Sequence, residues 1–257
     1  MFGIFWFNGA TPAPEVNESH YLAKAKHYWN PEFCPRDIFL GSAHAHLAFY
    51  WTIGWLTQFC SLSQTAWIGR IIVWILTAIG WQRFSSSVLN VRLLSPVTAG
   101  LTLLLIRNFN LAGEWMIGGI EAKGFAYFFL CLAMADLVRE RMRTVWIWLG
   151  LASAFHVLVG GWSVIMTLLV ITFRPDRKVS LLQMLPFSIG GLLIALLGIV
   201  PALSLGSGAD SETVAKAHEI YVMGRISHHL VFSMFQPDRI LLFGILCGAW
   251  TLVLFSE

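Results

Sequence analysis

Charge is scarce in this chain. Asp, Glu, Lys and Arg make up 12% of its 257 residues, about half of the roughly 25% usual in a soluble domain. Hydrophobic residues make up 57%, and the mean hydropathy is +0.69. That balance argues against a soluble globular core, and a formal net charge of only +3 argues against a basic surface for nucleic acid. Cysteine is sparse as well. Cys34, Cys60, Cys131 and Cys247 lie far apart with no C-x-x-C pair, which argues against a disulfide framework or a zinc site. There is no secretory leader pattern at the start: residues 1–7 are apolar but far shorter than the ~20 residues of a spanning helix, with no basic start and no small-residue cleavage site. They read as the end of a truncated first helix. The sequence also stops inside an apolar run, residues 241–255, so it reads as a fragment of a longer protein.

What is present is a series of apolar segments separated by short polar stretches. The expected fold is all-α: a polytopic bundle of transmembrane helices in a single domain. The first polar stretch, residues 8–37, reads as a water-facing loop, because Glu15, Glu18, Glu32, Asp37, Lys24, Lys26 and Arg36 gather there and charge in so apolar a chain belongs outside the hydrocarbon. Residues 38–60 are apolar and aromatic but carry His44 and His46, so they either lie in the membrane interface or cross it. Spans are expected at 65–83, 91–107, 124–138, 181–205 and 239–255. Residues 145–173 are longer than one span needs and hold Gly160-Gly161 near the middle, so they are expected to form a hairpin of two short helices. Arg83, the cluster Arg139, Arg141 and Arg143, and the cluster Arg174, Arg177 and Lys178 mark cytoplasmic ends under the positive-inside rule. If 38–60 lies in the interface, the loops holding Asp37, Glu121 and His228-His229 share the opposite face; if it spans, the later loops change sides. The basic clusters favour the first arrangement.

Candidate chemistry lies in three polar stretches. Asp37 follows Pro35-Arg36, and X-Pro resists helix, so this carboxylate is expected at a loop-to-helix junction, as a base, a ligand or a plain N-cap. The stretch GEWMIGGIEAKGFAY holds Glu114, Glu121 and Lys123 among glycines at the mouth of an apolar segment. Glycines admit close approach of a ligand, and a helix N-terminus attracts anions, although a capping Glu and a snorkelling Lys explain the same residues. In the third stretch Arg225, His228 and His229 could grip a phosphate or supply a proton. His156 lies beside the Gly160-Gly161 pair, hydrogen-bonded within the bundle or lining a polar cavity.

An acidic residue in a long first loop, the segment AGEWMIGGIEAKGFAYFFL, and a later loop with Arg and His together resemble the GT-C superfamily of membrane glycosyltransferases. The patterns VNESHYL, GGIEAK, AFHVLVGGW and HHL also resemble bacterial multi-spanning proteins of that layout. The resemblance implies a multi-pass protein of the bacterial inner membrane, with membrane lipid and a polyprenyl-phosphate sugar donor as partners. Sugar would be transferred on the extracytoplasmic face, with Asp37 as the catalytic base. Lys123, Arg225 and His228, with His229 and Glu114 nearby, would bind substrate, and Glu121 would orient the acceptor. No D-x-D or E-x-D pair accompanies Asp37, which leaves a divalent metal an option rather than a requirement. Two other classes stay open: a transporter or flippase of a lipid-linked or anionic substrate, and a non-catalytic membrane subunit.

Overall fold

The computed structural model describes residues 1–15, 17–91, 93–173 and 181–255. The basic cluster Arg174, Arg177 and Lys178 lies outside the described residues. All regular structure among the described residues is helical. It divides into two compact units: Met1–Thr98 with Ile117–Leu205, and Ala99–Met116 with Gly206–Glu257.

In the first unit the helices are α1 (Phe2–Gly9), α2 (Glu18–Trp29), α3 (Leu47–Trp51), α4 (Leu62–Val88), the start of α5 (Leu94–Phe109), α6 (Ala122–Val138), α7 (Met142–Phe155), α8 (Val157–Phe173) and α9 (Leu181–Leu203). The expected loop at 8–37 is therefore partly a helix. Its sequence ESHYLAKAKHYW is rich in helix formers, and Glu18, Leu22 and Ala25 are buried on one face at helical spacing. Counting charges hides that periodicity. Residues 38–60 contain only the five-residue α3 and the 3-10 turn Ile53–Gln58, too short to cross a bilayer.

α4 packs on α6, α6 on α7, and α7 on both α8 and α9. Met142, Val145 and Leu149 of α7 share a buried cluster with Met184 of α9 and Ala133 of α6. α7 and α9 approach backbone to backbone. A Cβ on Gly191 would overlap the Trp146 carbonyl, and one on Gly198 would overlap the Ser153 carbonyl, the use of small residues expected where apolar helices meet closely. The hairpin in 145–173 is present, but its break falls at His156, which has extended backbone, and not at Gly160-Gly161. His156 caps α8, its Nδ1 accepting from the Val159 N–H at 3.3 Å. Gly160 instead lets α8 lie against Ser153 of α7.

In the second unit the expected loop 206–238 is largely helical: α10 (Ser211–Glu219), a π-helical turn Ile220–Arg225 and α11 (Ser227–Leu230), followed by α12 (Pro237–Leu254). Asp210 starts α10 by accepting the Thr213 N–H at 2.8 Å, and Pro237 opens α12 where its missing N–H is harmless. Arg239 of α12 donates to the carbonyls of Arg107 and Asn108 at 2.9 and 2.7 Å, satisfying the open end of α5.

Two described helices are long and apolar enough to cross a membrane, Leu62–Val88 and Leu182–Gly206; Leu94–Phe109 and Val157–Phe173 are apolar but shorter. Gly191 offers a direct check on the α7–α9 contact. Gly191→Val should lower stability by about 1–3 kcal/mol through overpacking, read as a lower unfolding midpoint in detergent, whereas Gly161→Val, at a glycine with open space around it, should leave the midpoint nearly unchanged.

Candidate functional site

The polar face of the first unit is built on a buried ion pair. Arg70, inside apolar α4, is fully buried, and so is Glu18 at the start of α2. Arg70 donates from Nε to Glu18 Oε1 at 2.7 Å and from Nη2 to Oε2 at 2.5 Å, the bidentate geometry that suits guanidinium and carboxylate. The backbone N–H of Ile120 donates to Oε1 at 2.6 Å, and that of Glu15 to Oε2 at 2.7 Å. Arg70 Nη1 donates to the Thr11 carbonyl, and the guanidinium stacks over Trp67 at 4.8 Å. Each charge thus keeps the partners that make its burial tolerable.

This geometry explains the glycine motif. A Cβ on Gly119 would lie 2.7 Å from Glu18 Cγ, so the GGIEAK stretch is shaped for close approach of a carboxylate. That carboxylate belongs to the protein itself. Glu121 then occupies the N-cap position of α6 but makes no side-chain cap bond. It is buried and pairs with Lys123 at 3.6 Å, which is also buried.

Asp37 is held differently. It lies in a turn and not at a helix start: its Oδ1 accepts the Leu40 N–H at 2.9 Å, and its carbonyl accepts the Gly41 N–H at 3.0 Å. The residue is exposed. Lys24 of α2 fastens this turn from below, donating to the Phe39 carbonyl at 3.1 Å and to Ser42 Oγ at 2.5 Å, with its ammonium 4.7 Å over the Phe39 ring. Burial pulls the Lys24 pKa below its ordinary value. The result is an exposed carboxylate on a turn tied to a rigid helix, and such a group can take a proton from an incoming hydroxyl.

Beside the turn sits a cluster of rings. His46 lies 4.8 Å from Tyr21 and 6.1 Å from His156, with centroids as the reference points, and it donates to the Phe155 carbonyl. His44 meets Tyr28 and Tyr50 edge-on at 5.2 and 5.6 Å. The two histidines are therefore built into the packing between the polar segment and the α7–α8 break, rather than decorating an interface. Trp29 Nε1 donates to the Tyr50 carbonyl at 2.8 Å, and burial raises the Tyr50 hydroxyl pKa.

The remaining residues singled out from the sequence belong to the second unit. There His229 Nδ1–H donates to the Ala112 carbonyl, so His229 touches the turn that carries Glu114. That turn is organised by Asn110, whose Oδ1 accepts from the N–H groups of Ala112 and Glu114 at 2.8 and 3.3 Å. His228 lies against His229 with ring centroids 4.0 Å apart and the rings tilted by 43°, and Arg225 lies over Tyr221 at 5.9 Å. Among the described residues no three His, Cys, Asp or Glu side chains gather in a way that would hold a metal ion.

The buried charges that tie the helices of the first unit together include two that lie inside the apolar segments rather than in the polar loops. Arg70 and Asp136 sit within apolar segments. Asp136 accepts from Arg83 at 2.6 Å, Thr144 at 2.6 Å and Trp148 at 2.9 Å. The available signal was a single charge inside each apolar run, which demands a partner.

Burial lowers the pKa of both His44 and His46 from near 6.5; Lys24 and then His27 add to this at His44, while at His46 the bond to Phe155 opposes it before Lys24 adds a little. A group with a depressed folded pKa binds fewer protons in the folded state, so stability rises with pH across that window. The unfolding midpoint should therefore fall as pH is lowered from about 7 to about 5, and His44→Gln with His46→Gln should flatten that dependence. An unchanged slope in the double variant would contradict the assignment. Comparison of the chain with family models, curated proteins and solved structures gives no match.

Proposed function

We propose that this chain is a multi-pass membrane protein of GT-C-like layout that transfers a sugar from a polyprenyl-phosphate-linked donor at the extracytoplasmic face of a bacterial inner membrane. The observation that carries the reading is the Asp37 turn: one exposed carboxylate, fixed by buried Lys24 to a helix that is itself clasped to α4. Asp37 takes the proton from the acceptor hydroxyl as it attacks the anomeric carbon. As the new glycosidic bond forms, the bond from the anomeric carbon to the phosphate oxygen breaks, and the polyprenyl phosphate leaves with that electron pair, one negative charge more than it carried as the sugar ester.

Membrane residence is supported by what α9 leaves uncovered. Leu182, Leu193 and Val200 are 82%, 62% and 57% exposed, a surface that suits acyl chains and is unusual on a soluble monomer. Transport is the second reading, and the interruption at His156 between two apolar helices favours it, since discontinuous helices are a transporter device. Against it, the charges inside the helices are locked. Arg70 and Asp136 each spend their hydrogen bonds on fixed partners, which leaves little to move with a substrate.

The test is sugar transfer in membranes from a polyprenyl-phosphate sugar. Asp37→Asn should lower the rate at least about 100-fold, the scale of a lost general base, while a cysteine at Asn30 should react with a membrane-impermeant reagent on intact cells. Full transfer by Asp37→Asn would overturn the catalytic role, and protection of position 30 would overturn the assigned face.

A further inference from the structure

The first unit contains a cleft of about 600 Å³ that plays no part in the transfer reading. It opens between the C-terminal end of α2 and the turn Ile53–Gln58, and its lining includes Lys26, Trp29, Asn30, Gln58, Cys60 and Ser61. Among the described residues one cation lines it and no carboxylate does; the nearest acid in sequence, Glu32, is exposed. The Trp29 N–H is committed to Tyr50, so the indole contributes its ring. Asn30 Oδ1 already accepts the Glu32 N–H at 3.2 Å, so its amide has NH2 to offer. The Lys26 ammonium sits 4.8 Å over the Phe33 ring, placed as a point charge at the cleft wall. Amide donors, hydroxyls and a lysine with no carboxylate among the described lining residues match a phosphate oxygen set.

The position of the cleft matters as much as its lining. Ser61 is the N-cap of α4, closing a capping box with Gln64, so the cleft ends where the long apolar helix begins. Trp55 and Phe59 stand 45% and 70% exposed on the same turn, and aromatic residues of this kind gather where lipid headgroups lie. We propose that the cleft binds a phosphate ester, carried by a membrane lipid or by a soluble molecule, with Lys26 as its charge partner and Asn30 and Gln58 as donors. The lipid source rests on α4 crossing the membrane; neither source depends on the transfer reaction.

Cys60 provides a built-in reporter. In the full chain with Cys34→Ser and Cys247→Ser, Cys60 would be labelled with a maleimide in three settings: phosphatidylcholine nanodiscs, nanodiscs containing phosphatidylglycerol, and phosphatidylcholine nanodiscs with inorganic phosphate against sodium chloride of equal ionic strength. Labelling should slow roughly threefold, as for a one-site ligand at about twice its Kd. The effect should vanish in Lys26→Gln and persist in Lys26→Arg. Slowing by phosphatidylglycerol alone assigns a lipid source, and equal slowing by inorganic phosphate assigns a soluble one. Identical rates in all three settings, or slowing that survives Lys26→Gln, would overturn the site. A chain that does not enter nanodiscs would sink the spanning reading of α4 and the lipid source with it, and the phosphate measurement repeated in detergent would still decide the cleft.

Discussion

An arginine in an apolar helix needs a partner. Arg70 has no exposure to solvent, and an unpaired guanidinium in such a setting would cost several kcal/mol. Its partner is Glu18, the first residue of α2 in the polar segment that precedes α4 in the chain. Because Glu18 also accepts from the backbone of Ile120 and Glu15, one carboxylate joins α2, α4 and the approach to α6. Close contact at Gly119, and at Gly69 against Ile120, is what this joint demands of the sequence.

A second joint lies further along the same helix. Arg83 and Asp136 form an ion pair at 2.6 Å, and Thr144 and Trp148 complete the Asp136 acceptor sites, linking α4 to α6 and α7. At 1.5 Å per residue, thirteen residues separate the two arginines by roughly 20 Å of helix. Between them α4 offers apolar residues and close contacts, such as Gly80 against Phe128 and Cys131. The helix is thus pinned near both ends, and what lies above the first pin is the platform that carries Lys24, Asp37 and the ring cluster.

Much of this was readable in the sequence. The all-helical class follows from the long apolar runs. The segment at 65–83 lies within α4 (Leu62–Val88), which is long and apolar enough to cross a membrane; 124–138 is helical, within α6 (Ala122–Val138), but α6 is not one of the helices that meet that test. The hairpin in 145–173 is also legible, although its break falls at His156 and only Gly160 of the glycine pair packs against α7. What stayed hidden depended on distance in the chain. Glu18 looked like one more charge in a loop because its partner is 52 residues away. The GGIEAK motif was read as a cradle for an outside anion because nothing local says that the anion is the protein's own. α2 and α10 look like loops in the sequence because their charge outweighs their period; both have buried or capped features, Leu22 and Ala25 in one and Asp210 in the other, that only three-dimensional contact makes plain. The Pro-Arg-Asp step marks Asp37 as the start of a helix, but no helix starts there; the side chain instead accepts the Leu40 N–H within a turn.

The proposed function rests on an order of dependence. The Asp37 turn relies on Lys24, Lys24 relies on α2, and α2 relies on Glu18 being held by Arg70. The most direct measurement is therefore a double-mutant cycle on Glu18→Gln and Arg70→Met, followed by unfolding in detergent. Each single change should cost about 3–5 kcal/mol, because it strands a buried charge or donor, and the double change should cost clearly less than the sum. Additive losses below about 0.5 kcal/mol each, the scale of an ordinary surface substitution, would show that the ion pair does not hold the platform.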